Sequence, residues 1–314
     1  MKTQPMSREG FLQRWGLATL LIASLSNLGC QADPVPDSHG VTHRTTPEGV
    51  VVTMHLASAP FPHPNRKAGY ASDTENFPFQ GHYSDSSVQV FIPKGWVEGT
   101  KIDLVFFFHG WLTSVDGAIE VFDLLNQFKR SKVNALLVLP ETARFAPDSF
   151  GGKLEDDGGF QALVQETLDT LHKRKYIRGA NPGRIFLVAH SGGYHVISQI
   201  LSHGGLADHV SDVILFDALY GNLEDFEQWI ARRRGLFVSV FTQDGEVGPL
   251  VKNMIEDLKK IGIPYLFQEE SMGNPMPPKA VRAVFYHSVK DHYDVVHDDN
   301  QFQHLLRMVA ARKN

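Results

Sequence analysis

Cysteine is almost missing from this chain: Cys30 is the only one in 314 residues. Beyond it no thiol remains, so the body of the protein can hold neither an internal disulfide nor a cysteine nucleophile. A cationic excess is missing too. Thirty Lys and Arg against 35 Asp and Glu leave a formal charge of −5, which does not favour nucleic acid as a partner. No His-Glu-x-x-His, His-x-His or cysteine pair accompanies the 15 histidines, so neither a metal nor another cofactor is expected. Internal repeats and heptads are absent as well.

What is present begins with a leader. Lys2, Arg8 and Arg14 precede the apolar run from Trp15 to Leu28, which is too short to span a bilayer comfortably and suits the core of a signal peptide over residues 1–29. Cys30 follows Leu28-Gly29 directly, a placement that resembles a bacterial lipobox although Asn27 stands where leucine is commonest. That resemblance implies a lipid anchor on Cys30 and a place at the cell-envelope membrane, with plain secretion as the alternative. Residues 30–48, rich in Pro, Asp, Ser and Thr, read as a flexible tether. Residues 49–314 are left for one catalytic domain.

Within that domain apolar runs alternate with helix-compatible segments. Ile102–Phe108, Ala135–Leu139, Arg184–Val188, Val213–Phe216, Leu236–Phe241 and Val281–Tyr286 have strand character. Between them lie the helical stretches Ala118–Arg130, Phe160–Arg174, Tyr194–Ser202, Leu223–Arg233 and Leu250–Ile261. Regular alternation of this kind predicts an α/β fold, a mostly parallel central sheet with helices on both faces. Gly49–His55 and Ser87–Ile92 would extend it at an antiparallel edge, and Ala59–Tyr83 reads as a long ordered loop between them.

The most informative segment is Ala189-His190-Ser191-Gly192-Gly193, between the Arg184–Val188 strand and the Tyr194–Ser202 helix. A serine on so sharp a strand-to-helix turn is backbone-strained, and the turn is tolerated only if the residues two before and two after are small. Ala189 and Gly193 both qualify. Upstream, the Ile102–Phe108 strand ends in His109-Gly110-Trp111. Attack by Ser191 on a carbonyl would build negative charge on oxygen, and two backbone N–H groups aimed there would stabilise it. Gly192 is one candidate donor, and Trp111 or Leu112 the other. His109 is expected to fix this loop by hydrogen bonding rather than to transfer protons.

On these residues the chain resembles the α/β-hydrolase superfamily over roughly residues 85–310. Pro140-Glu141-Thr142, Phe150-Gly151-Gly152 and Asp156–Phe160 add a looser likeness to secreted esterases similar to polyhydroxybutyrate depolymerases and feruloyl esterases. The resemblance implies a triad running serine, acid, histidine along the chain. His292, in the polar loop after the Val281–Tyr286 strand, is the histidine in the right place. For the acid it leaves two positions open. Asp244 has the usual place, after the second strand beyond the nucleophile, and Asp217 the alternative one strand earlier.

The chemistry so implied is hydrolysis of a carboxylic ester, small or polymeric, through an acyl-enzyme on Ser191. A peptidase or amidase with the same triad and a non-catalytic binding lipoprotein that keeps the fold are the alternatives.

Overall fold

The computed structural model describes residues 40–232, 235–242, 245–270 and 276–312. The signal segment, Cys30 and Asp244 lie outside the described residues.

The strands are β1 (Thr42–Thr45), β2 (Gly49–His55), β3 (Tyr70–Ala71), β4 (Asn76–Phe77), β5 (Ser87–Pro93), β6 (Ile102–Phe108), β7 (Leu136–Pro140), β8 (Pro182–His190), β9 (Val210–Phe216), β10 (Phe237–Thr242), β11 (Tyr265–Glu269) and β12 (Ala283–Ser288). The main helices are α1 (Val115–Val121), α2 (Leu124–Ser131), α3 (Gly159–Lys173), α4 (Tyr194–His203), α5 (Leu223–Arg232), α6 (Val247–Lys260) and α7 (Gln301–Ala311). Among the described residues ten strands form one sheet, in the order β1-β2-β5-β7-β6-β8-β9-β10-β12-β11. Pairing is parallel from β7 through to β11 and antiparallel among β1, β2, β5 and β7.

Alternation along the buried strands builds two cores, one on each face of the sheet. Leu104, Phe106 and Phe108 of β6, with Leu187 and Ala189 of β8, face α3, α4, α5 and α6. Val105 and Phe107, with Phe186 and Val188, face α1, α2 and α7. Both faces are covered, so these strands are apolar throughout rather than at every second residue. Each fully buried side chain of this size contributes about 1.5–3 kcal/mol.

The strand order sets where chemistry can sit. From β6 the chain moves to β7 on one side, and from β8 to β9 on the other. That reversal opens a crevice at the carboxyl ends of β6 and β8, the usual ligand position in a doubly wound sheet. The loops that fill it are those starting at His109 and at Ser191.

Three local expectations need correction. The segment read as tether up to Glu48 contains β1, whose residues pair antiparallel with Val50–Thr53; the exposed edge of β2 supplies the backbone partners and Val41 is buried beside it. The single helix expected over Ala118–Arg130 is two. Asp123 breaks it at φ 48°, a conformation that short polar residues tolerate, and Phe122 puts its ring 4.9 Å from that of His190. An earlier start is also favoured, because the Ser114 hydroxyl accepts from Gly117 N–H at 3.2 Å. Sequence pattern also passed over β11, a half-exposed edge strand with weak alternation.

Ala59–Tyr83 is ordered, as expected. It carries the β3–β4 hairpin and a single turn at Pro64–Arg66, and buries Phe61, Phe77 and Tyr83 against Ala143 and Ala146. No helix among the described residues is long and apolar enough to cross a membrane.

Candidate active site

Ser191 stands at the end of β8 with φ 54°, a left-handed conformation costing about 1–3 kcal/mol that persists only where its surroundings enforce it. They do so sterically. A Cβ on Gly193 would come within 2.7 Å of the Phe108 carbonyl oxygen, and one on Gly110 within 2.6 Å of the Ser191 Cβ and 3.2 Å of its Oγ. The loop after β6 therefore passes directly against the serine. Only glycine permits that approach.

That loop is braced from below. The His109 Nδ1–H donates to the Gly110 carbonyl at 2.8 Å, while Nε2 lies 2.9 Å from Glu141 Oε1 and 2.8 Å from the Thr142 hydroxyl. Glu141 also accepts from Val115 N–H, at 3.1 Å to Oε2. His109 thus fixes the loop, and its partner follows the neighbouring strand β7. Glu141 and Thr142 belong to the Pro140-Glu141-Thr142 motif, but their role was invisible in the sequence because the contact spans more than thirty residues.

Of the two amides considered beside Gly192, the Leu112 N–H is committed to the Ala146 carbonyl at 3.1 Å. The Trp111 indole covers the turn: a Cβ on Gly192 would lie 2.5 Å from Trp111 Cδ1 and 2.9 Å from Ser149 Oγ. Trp111 Nε1–H donates to that same hydroxyl at 2.7 Å. The long loop reaches the site along this route, because Arg66 donates to both carboxylate oxygens of Asp148, at 2.6 and 3.0 Å, next to Ser149.

His292 follows β12, and its Nδ1–H donates to Asp217 Oδ2 at 2.6 Å. Asp217 ends β9 at φ 41° and accepts at the same time from Thr242 N–H and Oγ1–H, at 3.2 and 3.1 Å. Of the two aspartates left open by the sequence, Asp217 lies at hydrogen-bond distance from the His292 ring, and Asp244 lies outside the described residues. The Tyr220 ring stands edge-on to His292 with centroids 6.4 Å apart; burial, with the Asp217 charge, pushes its hydroxyl pKa up.

The residue before Ser191 reaches His292. His190 Nε2–H donates to the His292 carbonyl at 2.8 Å, and the two rings lie 4.5 Å apart. Burial, followed by the neighbouring His292, holds the His190 pKa well below the ordinary histidine range. Three other downstream histidines, His195, His287 and His297, are engaged elsewhere. His195 lies 3.3 Å from Glu155, which raises its pKa, His287 pairs with Glu269 at 2.8 Å, and His297 sits between Asp294 and Asp298.

The arrangement is that of the α/β-hydrolase fold, and comparison with solved structures shows the same architecture. The fluorophosphonate-binding serine hydrolase F of Staphylococcus aureus, substrate bound, aligns over 84% of this chain and 100% of its own, with a TM-score of 0.50 and 11% identity. A feruloyl esterase module from Clostridium thermocellum, complexed with sinapinate, aligns over 91% and 95%, with a TM-score of 0.51 and 13% identity. No protein-family model matches the chain, and no curated protein sequence matches it.

Proposed function

We propose that this protein is a serine hydrolase that cleaves carboxylic esters through an acyl-enzyme on Ser191. His292 Nε2 takes the proton as Ser191 Oγ attacks the carbonyl carbon, and the carbonyl oxygen becomes an anion received by the N–H groups of Gly192 and Trp111. Collapse of the tetrahedral species breaks the ester C–O bond, and His292 returns the proton to the departing alkoxide. Water, deprotonated by the same nitrogen, then releases the acid and restores the serine. Asp217 holds the imidazole in the tautomer with Nδ1 protonated and stabilises its transient positive charge.

The observation that carries the proposal is the 2.6 Å Asp217–His292 bond, at the same crevice as a serine held at positive φ. Two structural neighbours, a fluorophosphonate-binding hydrolase and a feruloyl esterase, agree with this chemistry. A fluorophosphonate probe should label the wild-type protein and leave Ser191→Ala unlabelled; a wild type that stays unlabelled would favour a binding protein. Nitrophenyl esters should be turned over far faster than aminoacyl amides, and the reverse preference would make the enzyme a peptidase or amidase. The proposal extends to location, with a lipid on Cys30 holding the domain at the envelope membrane. Cys30→Ala should then move the protein from the detergent phase to the aqueous phase.

A further inference from the structure

Ser191 and His292 follow β8 and β12, strands with β9 and β10 between them. Three inter-strand spacings put these two loops about 14 Å apart at the level of the sheet. No backbone ladder joins β8 directly to β12, so sheet register alone does not fix the distance between nucleophile and base. Something else must.

We infer that His190 is the positioning residue for His292, a tie from the nucleophile's own turn to the backbone of the general base. Its Nε2–H bond ends on the carbonyl of His292 itself, at 2.8 Å. The ring is wedged between Phe122 at 4.9 Å, Tyr293 at 5.6 Å and His292 at 4.5 Å, so it has little freedom to leave. A carbonyl only accepts, so the hydrogen stands on Nε2, and a ring kept neutral by burial does not oppose the imidazolium that forms beside it. Sequence proximity makes the coupling tight, since any shift of Ser191 carries its neighbour, and with it the His292 backbone, along. The inference rests on the proposed hydrolase chemistry and deepens it. It adds that reactivity depends on a third histidine that touches no substrate.

The test compares His190→Phe, a ring without the donor, with His190→Gln, whose side-chain N–H can reach the same carbonyl. Both are read by the rate of fluorophosphonate labelling and by kcat and KM on a nitrophenyl ester, normalised to the fraction of chain that unfolds cooperatively. Expected is a loss of about 100-fold in kcat and in labelling rate for His190→Phe, as follows from a displacement of order 1 Å in a reacting group. KM should be unchanged and His190→Gln should keep most of the rate. Equal losses in the two variants, or a His190→Phe protein as fast as wild type, would overturn the inference. Should His190→Phe not fold, nitrogen NMR of the wild type decides: hydrogen on Nε2 of His190 across neutral pH supports the tie, and hydrogen on Nδ1 refutes it. A wild-type protein that is never labelled would instead sink the hydrolase proposal, while the tautomer still reports on the bond.

Discussion

Two histidine–carboxylate pairs flank the same serine, and they are built for opposite ends. In the first, Asp217 is buried to 2% side-chain exposure while the His292 ring is 25% exposed. Its Nδ1 is spent on the carboxylate, and Nε2 carries no hydrogen bond among the described residues. In the second, His109 and Glu141 are both nearly sealed, at 1% and 4%, and both ring nitrogens are occupied. The chemical groups are the same. What separates the proposed general base from a brace is one nitrogen without a hydrogen bond, and that is decided by which loop carries the ring and how deeply it is packed.

Substitutions at the two pairs should therefore fail in different ways. The largest effect belongs to His292→Gln, which removes the proton acceptor while leaving the buried carboxylate a partner. Ester hydrolysis should fall on the order of 10⁴- to 10⁶-fold, with the melting temperature little changed, as initial rates and a thermal melt would show. Asp217→Asn comes next. An amide cannot hold the Nδ1–H tautomer as a carboxylate does, so kcat should drop about 10⁴-fold in a protein of near-native fold. A modest loss here would remove Asp217 from the role and reopen the choice of acid.

At the other pair the loss should appear in stability. Glu141→Ala leaves the Val115 N–H without its buried acceptor and strips the buried His109 ring of its carboxylate neighbour, which should cost about 3 kcal/mol in urea unfolding. Activity should fall with it because the Gly110–Trp111 loop loosens. If Glu141→Ala instead left stability intact and abolished turnover, the division between brace and base would be wrong.

The smallest effect concerns His190, which lies between the pairs. In the unfolded chain this ring takes up a proton near pH 6.5, whereas in the fold its pKa lies well below that value. The unfolded state then binds more protons, so stability falls as pH drops beneath 6.5, by at most about 1.4 kcal/mol per pH unit from this group. Urea midpoints between pH 7 and 5 should slope less steeply in His190→Gln than in wild type. Parallel slopes would mean that the ring is not the group responsible.

How much of this was legible beforehand differs from residue to residue. Strand β6 could be bounded from the apolar run Ile102–Phe108, because a strand covered on both faces writes its burial into consecutive residues, and β2 from the strand-like stretch Gly49–His55. The turn at Ser191 was legible through Ala189 and Gly193, since the steric demand is local. The break at Asp123 was not, because the helical pattern runs on across it while Phe122 leaves the helix to pack on a ring far along the chain. Nor could the backbone amides of Leu112 and Trp111, the two proposed oxyanion donors, be told apart. The difference is a hydrogen bond to Ala146, more than thirty residues away.

The amino-acid order by itself determined the alternation of strand and helix, the strained serine and the place of His292 near the end of the chain. Each follows from periodicity or from contacts among near neighbours. Tertiary structure alone decided that Asp217 meets the His292 ring, that Glu141 engages His109, and that His190 reaches across to the His292 backbone. Those are pairings between side chains distant in sequence, made at crevice loops whose separation depends on how many strands the sheet inserts between them, and no local pattern encodes that number.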